Sequence, residues 1–173
     1  MINTQFDWHT QIGNKVKKLL TAGLLVTTVL TSMSALADEM RKERLLNFYD
    51  AFGKGQVEKL DNIIVKDWVT HDPNPGQDQG RDGFKKFIPL VHGAISDVDW
   101  KIEEMVEEGN TIVVRSTMTA KHTGPLLGVP ATNKTFSIKA IDVHKFNKQG
   151  MVTETYHLED WISYLGQVGA LGK

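Results

Sequence analysis

A chain of 173 residues, 40% hydrophobic and 24% charged, is long enough for one domain with an ordinary core. Its formal net charge of −1 supplies no basic surface for nucleic acid, so no nucleic-acid partner is expected. The absence of cysteine excludes disulfides and any lipid carried on a thiol.

The N-terminal stretch differs from the rest. Lys15, Lys17 and Lys18 precede an uncharged, mostly apolar run from Leu19 to Met33, followed by Ala35-Leu36-Ala37 and then Asp38-Glu39. A basic segment, a short apolar segment and an A-x-A site predict a secretory signal over 1–37, cleaved after Ala37. The run is short and threonine-rich against the ~20 residues of a membrane span. The expectation is a domain over 38–173, periplasmic or secreted, with no stable membrane anchor once cleaved.

Leu45, Phe48, Tyr49 and Phe52 recur at helical spacing, and Gly53 and Gly55 end that helix. Val57, Leu60, Ile63 and Ile64 make a second short helical stripe, and Trp68 to Arg81 reads as a loop dense in turn formers. Phe84, Phe87, Ile88 and Val91 predict a third helix, which Pro89 should kink or shorten. After Ser96 the apolar period becomes two. Val98, Trp100 and Ile102 begin one strand. Ile112, Val114, Ser116, Met118, Ala120 and His122 share one face of the next. Phe136–Phe146 and Val152–Asp160 complete the set. Helices followed by strands on short turns predict an α+β fold, with helices packed on one side of the sheet.

The last hairpin allows a register. Lys148-Gln149-Gly150 suits a three-residue loop with Gly150 in the left-handed position. That register pairs Asn147 with Met151, His144 with Glu154, Asp142 with Tyr156 and Ile138 with Asp160. It sends Glu154, Tyr156, Leu158 and Asp160 inward and His157 outward.

Several segments together carry a pattern. His71-Asp72-Pro73 precedes Gly83-x-x-x-Phe87. Gly109-Asn110 opens a strand, and His122-Thr123-Gly124-Pro125-Leu126-Leu127-Gly128-Val129-Pro130-Ala131-Thr132 follows it. Glu154-x-Tyr156-x-x-x-Asp160 and Gln167-x-Gly169 close the set. In order and spacing, residues 41–170 resemble the SnoaL-like polyketide cyclase (ester cyclase) family, although that family usually has Trp where Tyr156 stands. The resemblance implies the nuclear transport factor two-like fold, a cone-shaped, curved antiparallel or mixed sheet wrapped on N-terminal helices around a pocket. It also implies cofactor-free aldol-type ring closure, with an aspartate on the last strand as general acid/base, here Asp160.

A carboxylate desolvated beside Ile138 and Leu158 would have its pKa raised toward the range useful for proton transfer. His144 and His122, on inward faces, are candidates to donate to or shuttle protons at an enolate oxygen. Trp68, His71, Phe87, Tyr156 and Asp142 are candidate substrate contacts, with Tyr156 and Asp142 as a cross-strand pair. No two histidines have helical i, i+4 or H-x-H spacing, so no metal is expected. Three uses of such a cone remain open: a cyclase or isomerase acting on a carbonyl compound, a non-catalytic periplasmic binder of a hydrophobic small molecule, and a sheet face serving a homodimer.

Overall fold

The computed structural model describes residues 35–171. The chain divides into two compact units at Glu39. Of the first, only residues 35–39 are described, and they are helical. The signal sequence expected over 1–37 therefore lies outside the described residues except for its last three. No helix among the described residues is long and apolar enough to cross a membrane.

The second unit opens with helix α1 (40–53), whose Leu45, Phe48, Tyr49 and Phe52 are buried at the expected spacing. A 3-10 helix, Val57–Asn62, buries Leu60. Strand β1, Ile64–Thr70, follows where the sequence suggested the end of a helical stripe and the start of a loop. A register irregularity between Ile64 and Val69 breaks its alternation, which is why the period-two signal fails there. Helix α2, Gly80–Ala94, buries Phe84, Phe87, Ile88 and Val91. Pro89 does not end it. The proline is exposed, so its missing N–H affects only the solvent side while the apolar face holds the helix in place.

Four antiparallel-paired strands come next: β2 (Ile95–Glu108), β3 (Thr111–His122), β4 (Thr135–Phe146) and β5 (Val152–Glu159). Helix α3, Trp161–Val168, was not anticipated. The sheet order is β1-β5-β4-β3-β2, with β1 parallel to β5, so the sheet is mixed. Two irregularities in β2, after Ser96 and after Ile102, add local bend to a curved sheet whose inner face packs on α1 and α2. The inner face of β3 is the predicted one: Ile112, Val114, Ser116, Met118, Ala120 and His122 are all buried.

The β4–β5 hairpin begins as expected and then departs from the expected register. Gly150 has φ 70°, and the Met151 carbonyl accepts from Asn147 N at 3.0 Å. Phe146 then pairs with Val152 but Lys145 with Glu154, so Thr153 is an extra residue on β5. His144 therefore faces Thr155, and Asp142 faces His157. A one-residue offset exchanges the two faces of a strand. Thr155, His157 and Glu159 turn inward, and Glu154, Tyr156 and Leu158 turn outward, the reverse of the expected arrangement.

The loop after β3 is tied to the end of α2 by an unusually close approach. Thr123 N and Gly124 N both donate to Ala94 O, at 2.9 and 2.8 Å, and a Cβ on Gly124 would overlap the Gly93 carbonyl oxygen. Gly124→Ala should therefore cost about 1–3 kcal/mol, the range for an overpacked site, read as a lower midpoint in urea unfolding.

Candidate active site

A cavity of about 310 Å³ lies between the helices and the inner face of the sheet. Phe48, Tyr49 and Phe52 of α1 reach it because they share one helical stripe, and Phe84 and Phe87 of α2 do so for the same reason. Trp68 of β1, Trp100 of β2 and Trp161 of α3 complete an aromatic wall. Two loops reach the cavity, through Asn74–Gln77 and Pro125–Leu127. The polar groups in this wall come mainly from the paired strands: Asp142 on β4, and Thr155, His157 and Glu159 on β5.

These polar groups form one array. His157 Nδ1 donates to Asp142 Oδ1 at 2.5 Å. His157 Nε2 lies 3.2 Å from Glu159 Oε2, but the N–H does not point at that oxygen, so the contact is electrostatic and Nε2 has no hydrogen-bond acceptor. Asp142 Oδ2 accepts from the Tyr49 hydroxyl at 2.7 Å. Tyr49 is in turn 3.0 Å from His144 Nε2. His144 Nδ1 is 3.0 Å from Thr155 Oγ1, which accepts from Trp68 Nε1 at 3.0 Å. Trp100 Nε1 is also buried without a partner.

The charges follow from this packing. Burial alone would lower the His157 pKa, but the carboxylates of Asp142 and Glu159 outweigh it and push it up to about 10. Burial would raise Asp142, and the hydrogen bond and charge of His157 hold it below the usual carboxylate range instead. His144, fully enclosed, is lowered by burial to about 4 and is neutral at pH 7. Burial first, and then the Asp142 charge, raise the Tyr49 hydroxyl well above its ordinary value. At neutral pH the site holds an imidazolium beside the Asp142 carboxylate, with Glu159 next to its other ring nitrogen.

These shifts set opposite pH limbs of stability. His157 keeps its proton in the fold up to about 10 against an ordinary 6.5, so its contribution is complete below pH 6.5 and is lost as pH rises through 10. His144 stays neutral down to about 4, so its contribution is present above pH 6.5 and is lost as pH falls toward 4. Urea unfolding across pH should show both limbs, each bounded by about 1.4 kcal/mol per pH unit for a single proton. His157→Gln should flatten the alkaline limb.

The structure brings together some of the expected residues and not others. Trp68, Phe87 and Asp142 line the cavity. Asp160 does not. It is exposed at the N-cap of α3, where its side chain accepts from Ser163 N at 3.0 Å and from the Ser163 hydroxyl, and those bonds lower its pKa. The shifted register and the unanticipated helix are the reasons. His122 is buried away from the cavity, with Nδ1 3.1 Å from Thr132 Oγ1 and Nε2 3.2 Å from the Tyr164 hydroxyl. His144 is equally buried and also does not line it. His71 and Tyr156 stack on the outer face at 4.0 Å, beside Glu154 and Lys145. The expected Tyr156–Asp142 pair is replaced by His157–Asp142. Sequence reasoning placed His157 outside, read Tyr49 only as part of a helical stripe and Trp100 only as part of a strand, and did not single out Glu159. His157-x-Glu159 on one strand was the available signal, since period two puts both on one face. Among the described residues no group of three or more His, Cys, Asp or Glu is arranged to hold a metal ion.

Comparison with known proteins gives three results. The family model for SnoaL-like polyketide cyclase matches residues 43–168. No curated protein gives a significant match. Among solved structures, TsrD from Streptomyces laurentii is 26% identical, covers 78% of this chain and 96% of its own, and superposes with a TM-score of 0.68. IdmH from Streptomyces antibioticus is 22% identical, covers 75% of this chain and 98% of its own, with a TM-score of 0.67. AclR from Streptomyces galilaeus is 20% identical over 78% of this chain and 88% of its own, also at 0.67. The last two likenesses show a shared fold.

Proposed function

The chain belongs to the SnoaL-like polyketide cyclase family, and from that premise we propose that its cavity carries out cofactor-free acid–base chemistry of the cyclase or isomerase type on a small, mostly apolar carbonyl compound. His157 and Glu159 take the roles that the sequence suggested for Asp160. The observation that carries the reading is the His157 ring set between the Asp142 and Glu159 carboxyl groups, its Nε2 buried without a hydrogen-bond partner at the wall of an aromatic cavity.

The chemistry follows from the charges. A substrate carbonyl oxygen accepts from His157 Nε2–H, the donor that has no acceptor within the protein. Glu159, whose side chain is only 4% exposed, takes the proton from the carbon next to that carbonyl. The C–H electron pair moves into the enolate, whose oxygen gains the negative charge that Glu159 has lost. The three side chains carry a net −1 before the step, and site plus substrate carry −1 after it. The charge moves a few ångströms without entering or leaving a dry site. Such pre-aimed donors stabilise developing oxyanions more strongly than water does. Asp142 keeps the Nδ1 proton in place, so that the other ring nitrogen presents its N–H to the substrate. The buried, unpartnered Trp100 N–H offers a second donor at the wall.

Deuterium exchange tests this reading. Wild-type protein in heavy water should accelerate loss of the C–H signal of an aryl 1,3-diketone, followed by proton NMR. Tight binding of such probes with no accelerated exchange would point instead to a non-catalytic binding protein.

Two wider expectations belong to the same proposal. Export through the 1–37 leader predicts a mature chain beginning at Asp38 in the periplasm or medium, read by N-terminal sequencing. A homodimer is supported by an apolar row across the outer face of the sheet. Val106, Val113, Val143 and Tyr156 are paired in sequence across four strands, with Ile141 and Leu158 adjoining. Leu158 is 71% exposed, and a two-fold contact would bury it against itself or its neighbours. Leu158→Glu should convert the dimer to monomer in light scattering, with no change in fold.

A further inference from the structure

We propose that Trp68, Thr155, His144 and Tyr49 form a one-way hydrogen-bond relay that positions the Asp142–His157 pair. The inference rests on reading His157 as the acid of the site, but its test needs no substrate.

The directions follow from the two ends. An indole N–H can only donate, and an ionised carboxylate can only accept. Trp68 Nε1 donates to Thr155 Oγ1, and Asp142 Oδ2 accepts from Tyr49. The single Tyr49 proton is therefore committed to Asp142, and the Tyr49 oxygen must accept from His144 Nε2 across 3.0 Å. A neutral imidazole carries one proton, so His144 is the Nε2–H tautomer. Its Nδ1 is then an acceptor, and the donor within reach is the Thr155 hydroxyl at 3.0 Å. All four bonds point toward Asp142, and bonds aligned head to tail in a dry interior strengthen one another.

The consequence falls on His157. One carboxylate oxygen of Asp142 is occupied by the relay and the other holds His157 Nδ1–H, which fixes the imidazole plane and leaves Nε2–H for the cavity. The charged groups facing His157 are Asp142 of β4 and Glu159 of β5, with His144 of β4 beside them and Tyr49 of α1 hydrogen-bonded to Asp142. Tyr49 and His144 do not touch substrate in this scheme. They are positioning residues that act through Asp142.

The test is NMR of the full chain with nitrogen-labelled histidine, titrated with pH. In the wild type, His144 should give the Nε2–H tautomer, and His157 should hold both ring protons at pH 8. Tyr49→Phe removes a competing donor from Asp142, leaves that carboxylate to hold the His157 proton more strongly, and should raise the midpoint of the His157 titration by about one pH unit. His144→Phe should shift it in the same direction, and His144→Gln, which can donate and accept in place of the ring, should undo part of the shift. Finding His144 in the Nδ1–H form would overturn the proposal, as would an unmoved His157 midpoint in folded Tyr49→Phe. If that variant does not fold, the wild-type tautomer decides the matter alone.

Discussion

Glu159→Gln should reduce the exchange rate of an enolisable diketone by about 10²–10⁴, the range for loss of a positioned general base. The substitution keeps the shape of the side chain and removes its charge and its capacity to take a proton, while Asp142 still holds the His157 Nδ1 proton. Probe affinity should change little, because the carbonyl oxygen binds to His157 rather than to Glu159. A loss in turnover with binding preserved marks an interaction made in the transition state. His157→Gln should also lower turnover and, unlike Glu159→Gln, should weaken binding as well.

Asp142→Ala should destabilise the fold by about 3–5 kcal/mol, the cost of breaking a buried pair by removing one partner. Asp142 is only 3% exposed, and its loss leaves the Tyr49 hydroxyl and His157 Nδ1 without their acceptor. The imidazolium would then face Glu159 alone, and its proton should be lost at lower pH. Urea unfolding at pH 7 reads the first effect, and the flattened alkaline limb of stability reads the second. A mutant as stable as the wild type would mean that the pair is not held as described.

Most of the scaffold could be read from the sequence because its elements obey simple periods. The stripe Leu45, Phe48, Tyr49, Phe52 and the alternation from Ile112 to His122 each have one buried face and no interruption. The inner face of β4 was equally legible, from Phe136 through Asp142 and His144 to Phe146, all buried. What the sequence hid was local. Thr153 is one extra residue in β5, and nothing in Met151-Val152-Thr153-Glu154 announces it. That residue sends His157 inward and Tyr156 outward, and so changes which side chains line the cavity. The second concealed feature was the end of the strand. Asp160 resembled a strand carboxylate, but Asp160-x-x-Ser163 is a helix start, with the aspartate bonded to the backbone of the serine three residues on. The family pattern could not correct either reading, because it matches residues by order and not by face. Strand β1 was lost for a related reason: Ile64, Trp68 and Thr70 fall on one face at even spacing, but Lys66 between them is exposed where the register breaks, so the alternation is interrupted.

The most direct test of the central claim sets two substitutions side by side. Deuterium exchange of one diketone probe is measured with wild type, Glu159→Gln and Asp160→Asn, each checked for folding by its NMR spectrum. The prediction is a loss of about 10²–10⁴ for Glu159→Gln and a rate within about twofold of wild type for Asp160→Asn, since Asn caps a helix about as well as Asp. Full exchange activity in Glu159→Gln, with loss in Asp160→Asn, would contradict the assignment and return the chemistry to the end of the strand.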